Sequence, residues 1–305
     1  MAGMAGMAGT AAGPAETAAG PAGPADVAGT TLQLGGRTYD LTHRALVMGI
    51  LNRTPDSFYD KGATYALDDL YARAEALVAD GADLLDVGGV KAGPGPEVTE
   101  REEMERVLPV VEGLVARFDT PISVDTWRAS VARASYRLGA VMGNDISGFA
   151  DPDYLPAAAE GGAAVVATHI RLAPRVADPE PHYDDVVKEV AEYLLDRADR
   201  ARAAGIPPQR VVLDAGLDLG KTAAQSLTLL RASAELAALG YPLLLSASNK
   251  TFLGVTLDLE ITERGPASLG AAALGICWGC RILRVHDVKG TRRVRDALAA
   301  VSEAG

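Results

Sequence analysis

Residues 47–62 read VMGILNRTPDSFYDKG, an apolar run that ends at Asn52 and continues into a polar turn. The apolar half is typical of a strand buried on both faces in a parallel sheet. Pro55, Asp56 and Ser57 then prevent the strand from continuing and begin a loop. Because a loop of this kind is held in place by the strand before it, we expect functional side chains here.

The alternation of a short apolar run with an Ala-rich, charged stretch occurs eight times along the chain. The runs predicted as strands are residues 44–50, 83–87, 121–125, 140–145, 163–169, 210–214, 242–247 and 282–287. In the stretches between them, apolar residues recur every three or four positions, as in amphipathic helices. Eight such units predict an α/β protein with a (β/α)8 TIM barrel, and an open, doubly wound sheet is the alternative.

Three segments are expected from the composition. Residues 1–30 contain MAG three times and are otherwise mainly Ala, Gly, Pro and Thr, which predicts a disordered leader. Residues 31–43 have Gly35-Gly36 between two alternating runs, and they predict an N-terminal hairpin that caps the bottom of the barrel. Residues 44–305 are then a single barrel domain, a size that this fold commonly has.

The charge balance and the apolar runs argue against two kinds of partner. The chain has 40 acidic and 29 basic residues, a formal net charge of −11, whereas nucleic-acid binding needs a basic surface. No apolar run approaches the 18 residues of a membrane span, and the N-terminus lacks the basic and apolar parts of an export signal. We therefore expect a cytoplasmic protein.

Polar residues stand at the end of every predicted strand. In a barrel these ends meet at one face and build the site. Singly, Asp145 and Asp287 could cap helices and Asp86 could bind backbone amides. Together the strand ends predict a functional site that includes Asn52, Asp86, Asp125, Asn144, Asp145, His169, Asp214, Ser248, Lys250, Arg284, His286 and Asp287.

One group of these residues suits a flat nitrogen heterocycle. Asp125, Asn144 and Asp214 offer acceptors and an amide for a ring edge rich in N–H donors. Lys250 adds a donor.

A second group suits a diphosphate. Arg284 and His286 are donors beside strand eight, where barrels commonly hold a phosphate. Asn52 could hold Mg²⁺, an ion that takes few protein oxygens and keeps its waters.

Residues 45–288 resemble the dihydropteroate synthase family, whose motifs occur here in the same order. The first, M-G-I-x-N-V-T-P-D-S-F-S-D-G-G in the family, departs here at Arg53, Tyr59 and Lys61. The others are GADLLDVGG (81–89), SVDTWRASVARAS (123–135), GNDISG (143–148), KTFLG (250–254) and RVHDV (284–288).

The resemblance implies a transferase that joins 6-hydroxymethyl-7,8-dihydropterin diphosphate to p-aminobenzoate and releases diphosphate. It implies that Asn52 binds Mg²⁺ and that Arg284 and His286 bind the diphosphate. The residues that it implies for the pterin are Asp125, Asn144, Asp214 and Lys250.

The sequence departs from the family around the second substrate. The family segment G-G-E-S-T-R-P-G is GGVKAGPG here, D-P-G-x-G-F-G-K is DAGLDLGK, and the Arg before Lys250 is replaced. The altered positions include Lys91, Ala92, Gly93, Leu219 and Asn249. Loss of Arg removes a bidentate partner for a carboxylate, so we predict an intact pterin half and a weakened p-aminobenzoate half. Restoring the family pattern with Ala92→Thr, Gly93→Arg, Leu219→Phe and Asn249→Arg is expected to raise turnover.

Two of the altered loops have gained a cation. Arg53 follows Asn52 directly, and Lys91 lies two residues before the position of the missing Arg. Either these residues are surface side chains, or they reach a phosphate as point charges.

Two other functions are open to the sequence. One is a pterin-binding paralogue with weak or no synthase activity. The other is a P-loop NTPase, because AGLDLGKT (215–222) resembles G-x-x-x-x-G-K-[ST] with Ala215 in place of the first Gly.

The C-terminal part of the chain supports two further expectations. Cys277 and Cys280 could be a redox pair or half of a zinc site, but no second pair exists, and core packing is expected for both. The small, weakly charged stretch GPASLGAAALGICWGC (265–280) either packs close to the strands or forms a two-fold interface, and we predict a homodimer.

Overall fold

The structure, a computed structural model, describes residues 30–53 and 63–304. The strands are β1 (Thr31–Leu34), β2 (Arg37–Asp40), β3 (Leu46–Asn52), β4 (Leu84–Gly88), β5 (Ile122–Asp125), β6 (Met142–Asp145), β7 (Ala164–Thr168), β8 (Val211–Asp214), β9 (Leu243–Leu245) and β10 (Cys280–Val285). The helices are α1 (Ala63–Ala79), α2 (Glu100–Arg117), α3 (Ala129–Arg137), α4 (Tyr154–Glu160), α5 (Val186–Ala203), α6 (Ala223–Arg231), α7 (Ser233–Ala237), α8 (Thr251–Leu257), α9 (Gly265–Cys277) and α10 (Val288–Glu303).

The eight parallel strands β3 to β10 form a closed barrel, in which β10 pairs with β3. The predicted (β/α)8 TIM barrel is therefore confirmed, and the open sheet is wrong. Each of these strands overlaps one of the predicted runs. The leader, apart from Thr30, and the turn at 54–62 lie outside the described residues.

Alternation along the strands separates an outer layer, packed on the helices, from an inner layer inside the barrel. The inner layer is apolar at the lower end, where it includes Met48, Leu84, Met142, Val166, Val212, Leu244 and Ile282. Two residues further along a strand, the side chain returns to the same face. On β3 that position is Ile50, whereas on the other six strands it is polar, namely Asp86, Asn144, Thr168, Asp214, Ser246 and Arg284. The period of two thus carries the polar residues to the upper opening of the barrel.

An antiparallel hairpin of β1 and β2 covers the lower end. Its side chains Leu32, Leu34 and Leu41 are at most 2% exposed and belong to the same apolar cluster as the inner layer. The hairpin turns at Gly35, whose φ of 56° is left-handed and favours glycine. The barrel interior is therefore closed below, and ligands can reach it from the opposite end.

The two cysteines have different environments. Cys280 is buried at the start of β10, and burial raises the pKa of its thiol to about 12. Cys277 ends α9 and is exposed, so the expectation that it packs in the core is wrong. Within the described ranges, no group of three or more His, Cys, Asp or Glu side chains could hold a metal, and no helix is long and apolar enough to cross a membrane.

Candidate functional site

A cavity of about 350 Å³ opens at the carboxyl ends of the barrel strands. It brings together five of the residues predicted from the strand ends, which are Asp125, Asn144, Asp214, Lys250 and Arg284. They come from four strands and the loop that precedes α8. The floor of the barrel mouth is thus a compact set of carboxylates, one amide and two cations.

The carboxylates of the cavity lie in a water-poor environment. Burial raises the pKa of Asp214, although Lys250 opposes the shift, and Asp214 Oδ1 accepts a hydrogen bond of 2.7 Å from the Gly216 N–H. Burial also raises the pKa of Asp125 to about 7, with Arg284 opposing the shift and Asp86 reinforcing it. Both groups therefore bind a positive or N–H-rich ligand edge more favourably than solvent-exposed carboxylates would.

Lys250 immediately precedes α8 and extends into the cavity. Its Nζ donates a hydrogen bond of 2.5 Å to the carbonyl of Leu217. Burial lowers the pKa of Lys250, and Asp214 partly compensates. The ammonium is thus held between two loops of the rim as a directed donor.

Arg284, on β10, is held by two carboxylates from neighbouring strands. Its Nε lies 2.6 Å from Asp86 Oδ2 and its Nη2 lies 2.7 Å from Asp125 Oδ2. Burial acts against the charge, but the two carboxylates outweigh it and raise the pKa of Arg284. Arg284 therefore stays cationic inside the barrel, in a fixed plane.

His286 lies one residue beyond β10 and is exposed. The imidazole Nδ1 is 3.0 Å from Ser248 Oγ, and the backbone N–H of His286 donates to the same oxygen at 3.2 Å. His286, Ser248 and Asn249 line a second cavity of about 180 Å³, so the structure places His286 beside the main cavity rather than in it.

Asn52 ends β3 and faces Gly88 on β4. A Cβ at Gly88 would lie 3.2 Å from Asn52 Oδ1 and 3.6 Å from Asp125 Oδ2. Asn52 Oδ1 is thus a hard oxygen atom at the upper end of β3, a type of ligand that Mg²⁺ takes in small numbers from a protein. An ion held there would take its remaining ligands from water or substrate, as Mg²⁺ commonly does.

The altered positions do not all reach the cavity. Ala92 and Gly93, in the β4–α2 loop, and Leu219, in the β8–α6 loop, line it. Asn249 lines the second cavity instead, with a left-handed φ of 56°. Lys91 is exposed and does not line the main cavity, and its carbonyl accepts a hydrogen bond from Arg175.

Arg53 is directed to α2 rather than to the cavity. Its Nη1 donates to the carbonyls of Glu105, at 3.2 Å, and Arg106, at 2.9 Å. Pro109 lies inside α2 and has no N–H, so the Glu105 carbonyl lacks its usual helical donor. Arg53 fills this gap, and the structure does not bring it to a phosphate site.

The contacts of Lys221 show that the P-loop-like stretch at 215–222 is built differently from a phosphate-binding loop. Its buried Nζ donates to the carbonyls of Gly216, at 2.9 Å, and Leu219, at 3.1 Å, and lies 2.8 Å from His169 Nδ1. Burial and then Lys221 lower the pKa of His169 to about 3, so that imidazole is neutral. The loop therefore turns carbonyl oxygens inward, which is the opposite of a phosphate cradle.

The sequence reasoning assigned no ligand-binding role to two carboxylates that organise the site. Asp86 binds Arg284, and Asp218 accepts hydrogen bonds from the N–H groups of Thr251, at 2.6 Å, and Phe252, at 3.1 Å, at the start of α8. Asp86 was visible as a strand end. Asp218 lies within a loop, and nothing in its local sequence indicated a contact 33 residues away.

The family described as "Pterin binding enzyme" matches residues 48–286. The chain belongs to this family. It is 44% identical over 266 residues to the protein named inactive dihydropteroate synthase 2 of Mycobacterium tuberculosis, covering 85% of this chain and 83% of the relative. It is 40% identical over 272 residues to the dihydropteroate synthase of Escherichia coli, covering 88% and 96%.

Solved structures agree with this family membership. The chain matches the dihydropteroate synthase of Yersinia pestis, solved in a sulfonamide drug complex, with a TM-score of 0.84 and 38% identity. The match covers 90% of this chain and 99% of that one. The resemblance indicated by the motifs is therefore confirmed.

Proposed function

We propose that this pterin-binding family member is a dihydropteroate synthase-type transferase that binds a dihydropterin diphosphate in the 350 Å³ cavity. The observation that carries the proposal is the convergence of Asp125, Asn144, Asp214, Lys250 and Arg284 on that cavity. A pterin has amine and N–H groups along one edge and acceptors on the other. Carboxylates and a directed ammonium match this arrangement.

The diphosphate is proposed to lie toward Arg284 and His286, with Mg²⁺ on Asn52. When bound, Mg²⁺ would neutralise charge on the leaving diphosphate. The bond between the pterin methylene and the diphosphate oxygen breaks, its electron pair leaves with the diphosphate, and the aryl amine bonds to the methylene and loses a proton. Arg284 stabilises the negative charge that develops on the leaving group, and no side-chain nucleophile is needed.

The second-substrate half is proposed to be weak toward p-aminobenzoate and sulfonamides. Ala92, Gly93 and Leu219 line the cavity where the family has Thr, Arg and Phe. The same observation favours a second candidate, a pterin-binding paralogue without synthase turnover. The name of the mycobacterial relative, inactive dihydropteroate synthase 2, points in the same direction.

The experiment that decides between them measures dihydropteroate formation by the purified protein, with the Escherichia coli synthase as the reference. Slow but saturable formation, together with partial rescue of a strain lacking its synthase, supports the transferase. Pterin binding with no product supports the paralogue. Absence of both binding and product would reject the proposed function.

We also propose that the protein is a homodimer, through a patch of exposed apolar residues on α8, α9 and the turn between them. Val255 is 67% exposed, Leu257 52%, Ile261 60% and Leu274 46%. Gly275 of α9 serves the barrel instead, since a Cβ there would lie 2.4 Å from Leu245 Cδ2. An apolar patch of this kind is typical of an interaction surface.

The double substitution Ile261→Glu with Leu274→Glu is expected to give a monomer, because it places two charges in the apolar patch. Light scattering at micromolar concentration checks this, since the chain has a mass of 31.6 kDa and the unmodified protein should show about twice that mass. Val301→Glu is the control, because Val301 is 73% exposed on α10. A monomeric unmodified protein would reject the dimer.

A further inference from the structure

Asp86 lies below the cavity and does not line it. It is on β4, faces the barrel interior and is fully buried. A buried carboxylate needs partners, because desolvation of an unpaired charge is costly. The role of Asp86 therefore depends on which groups it binds.

Both partners are cavity residues. Asp86 Oδ2 accepts hydrogen bonds from Arg284 Nε at 2.6 Å and from Asn144 Nδ2 at 3.1 Å. Asp86 Oδ1 has no hydrogen-bond partner among the described residues. One oxygen atom thus joins the cation proposed for the diphosphate to the amide proposed for the heterocycle.

The contact fixes which end of the Asn144 amide faces the ligand. Asp86 Oδ2 already accepts from Arg284 Nε, so it is an acceptor toward Asn144 as well and selects its NH₂ group. The flipped amide would place two acceptor oxygens about 3 Å apart, which is repulsive. Asn144 therefore presents its Oδ1 to the cavity, where it adds an acceptor to Asp125 and Asp214.

The contact also fixes Arg284. Asp86 and Asp125 hold two different nitrogens of the planar guanidinium, and these carboxylates come from adjacent strands. The guanidinium cannot rotate without losing one charge-assisted bond. The N–H groups of Arg284 that Asp86 and Asp125 do not bind are therefore held in a fixed orientation.

We propose that Asp86 is a positioning residue that sets the ligand polarity of the cavity, by presenting Asn144 as an acceptor and Arg284 as a fixed donor. This proposal rests on the proposed pterin-binding function. It adds that selectivity for a donor-rich ring edge depends on a carboxylate that the ligand does not touch.

The test compares two ligands, a 2-amino-4-oxopteridine and the 2,4-dioxopteridine that replaces a donor by an acceptor. The unmodified protein should prefer the amino compound. Asp86→Ala should reduce the ratio of the two dissociation constants by about tenfold, because Asn144 can then turn its NH₂ group to the ligand. Asp86→Asn keeps an acceptor oxygen for Asn144 and should retain most of the preference.

The matched control is Asp83→Ala, which removes a carboxylate one residue before β4. Asp83 Oδ2 lies 2.5 Å from Arg295 Nη1, away from the cavity, so the control should lower stability and leave the ratio unchanged. A folded Asp86→Ala protein with the ratio of the unmodified protein would overturn the proposal. Loss of affinity for both ligands by the same factor would also overturn it, since general structural damage acts in that way.

A second measurement needs neither a variant nor a ligand. In the ¹⁵N-labelled unmodified protein, an NH₂ hydrogen of Asn144 should exchange at least about tenfold more slowly than those of Asn249, whose oxygen is the atom engaged by Ser268. Equal exchange rates would overturn the role of Asp86. If exchange is slow but neither pteridine binds, the proposed function fails while the contact stands.

Discussion

Asp214→Ala is expected to reduce sharply the rise in melting temperature that a dihydropterin diphosphate with Mg²⁺ produces in the unmodified protein. Asp214 is 6% exposed, lines the main cavity and has a pKa raised chiefly by burial. A charge-assisted hydrogen bond in such a site contributes about 1.5–3 kcal/mol. Its loss corresponds to roughly 10- to 150-fold weaker binding.

Thermal denaturation with and without ligand measures this effect. Asp178→Ala is the matched control, because Asp178 pairs with Arg171 on the rim and does not line the main cavity. The control should keep the ligand-induced shift. A full shift in Asp214→Ala would remove Asp214 from the pterin site, and no shift in the unmodified protein would end the pterin assignment.

Restoring the family residues is expected to raise dihydropteroate formation. Ala92→Thr, Gly93→Arg and Leu219→Phe all act on the main cavity. A Cβ at Gly93 meets nothing within 4 Å, so a side chain can begin there without a clash. A regained bidentate partner for the carboxylate should raise kcat/KM for p-aminobenzoate by roughly 10- to 100-fold.

Asn249→Arg is expected to add least to the set of four substitutions. Asn249 has a left-handed φ of 56°, which Asn tolerates better than Arg, and it lines the cavity of His286 instead. Steady-state kinetics of the triple and quadruple variants separate its contribution. A triple variant no faster than the unmodified protein would show that these loops do not limit turnover.

The strand ends were predictable because two simple rules act on them. Side chains repeat every second residue along a strand, and parallel barrel strands all end at the same face. Asp125, Asn144, Asp214 and Arg284 follow from these rules, since each lies on the inner face at the upper end of its strand. Lys250 was predicted from its position between β9 and the helix that follows it.

The contacts between distant segments were not predictable. Arg284 and Asp86 are 198 residues apart, and neither local sequence indicates the other. Arg53 binds α2 because Pro109 frees a carbonyl there, and that requires knowing which helix packs beside the first loop. Periodicity indicates which way a side chain faces, whereas its partner depends on the packing of the whole barrel.

Calorimetric titration of the unmodified protein tests the central claim most directly, because two separate titrations measure the two halves of the site in the same protein. The first titration adds a dihydropterin diphosphate with Mg²⁺. The second adds p-aminobenzoate in the presence of Mg²⁺ and diphosphate, with the Escherichia coli synthase as the reference. We predict saturable binding of the pterin compound and p-aminobenzoate binding at least about tenfold weaker than to the reference. Equal affinity of both proteins for p-aminobenzoate, or no binding of the pterin compound, would contradict the account.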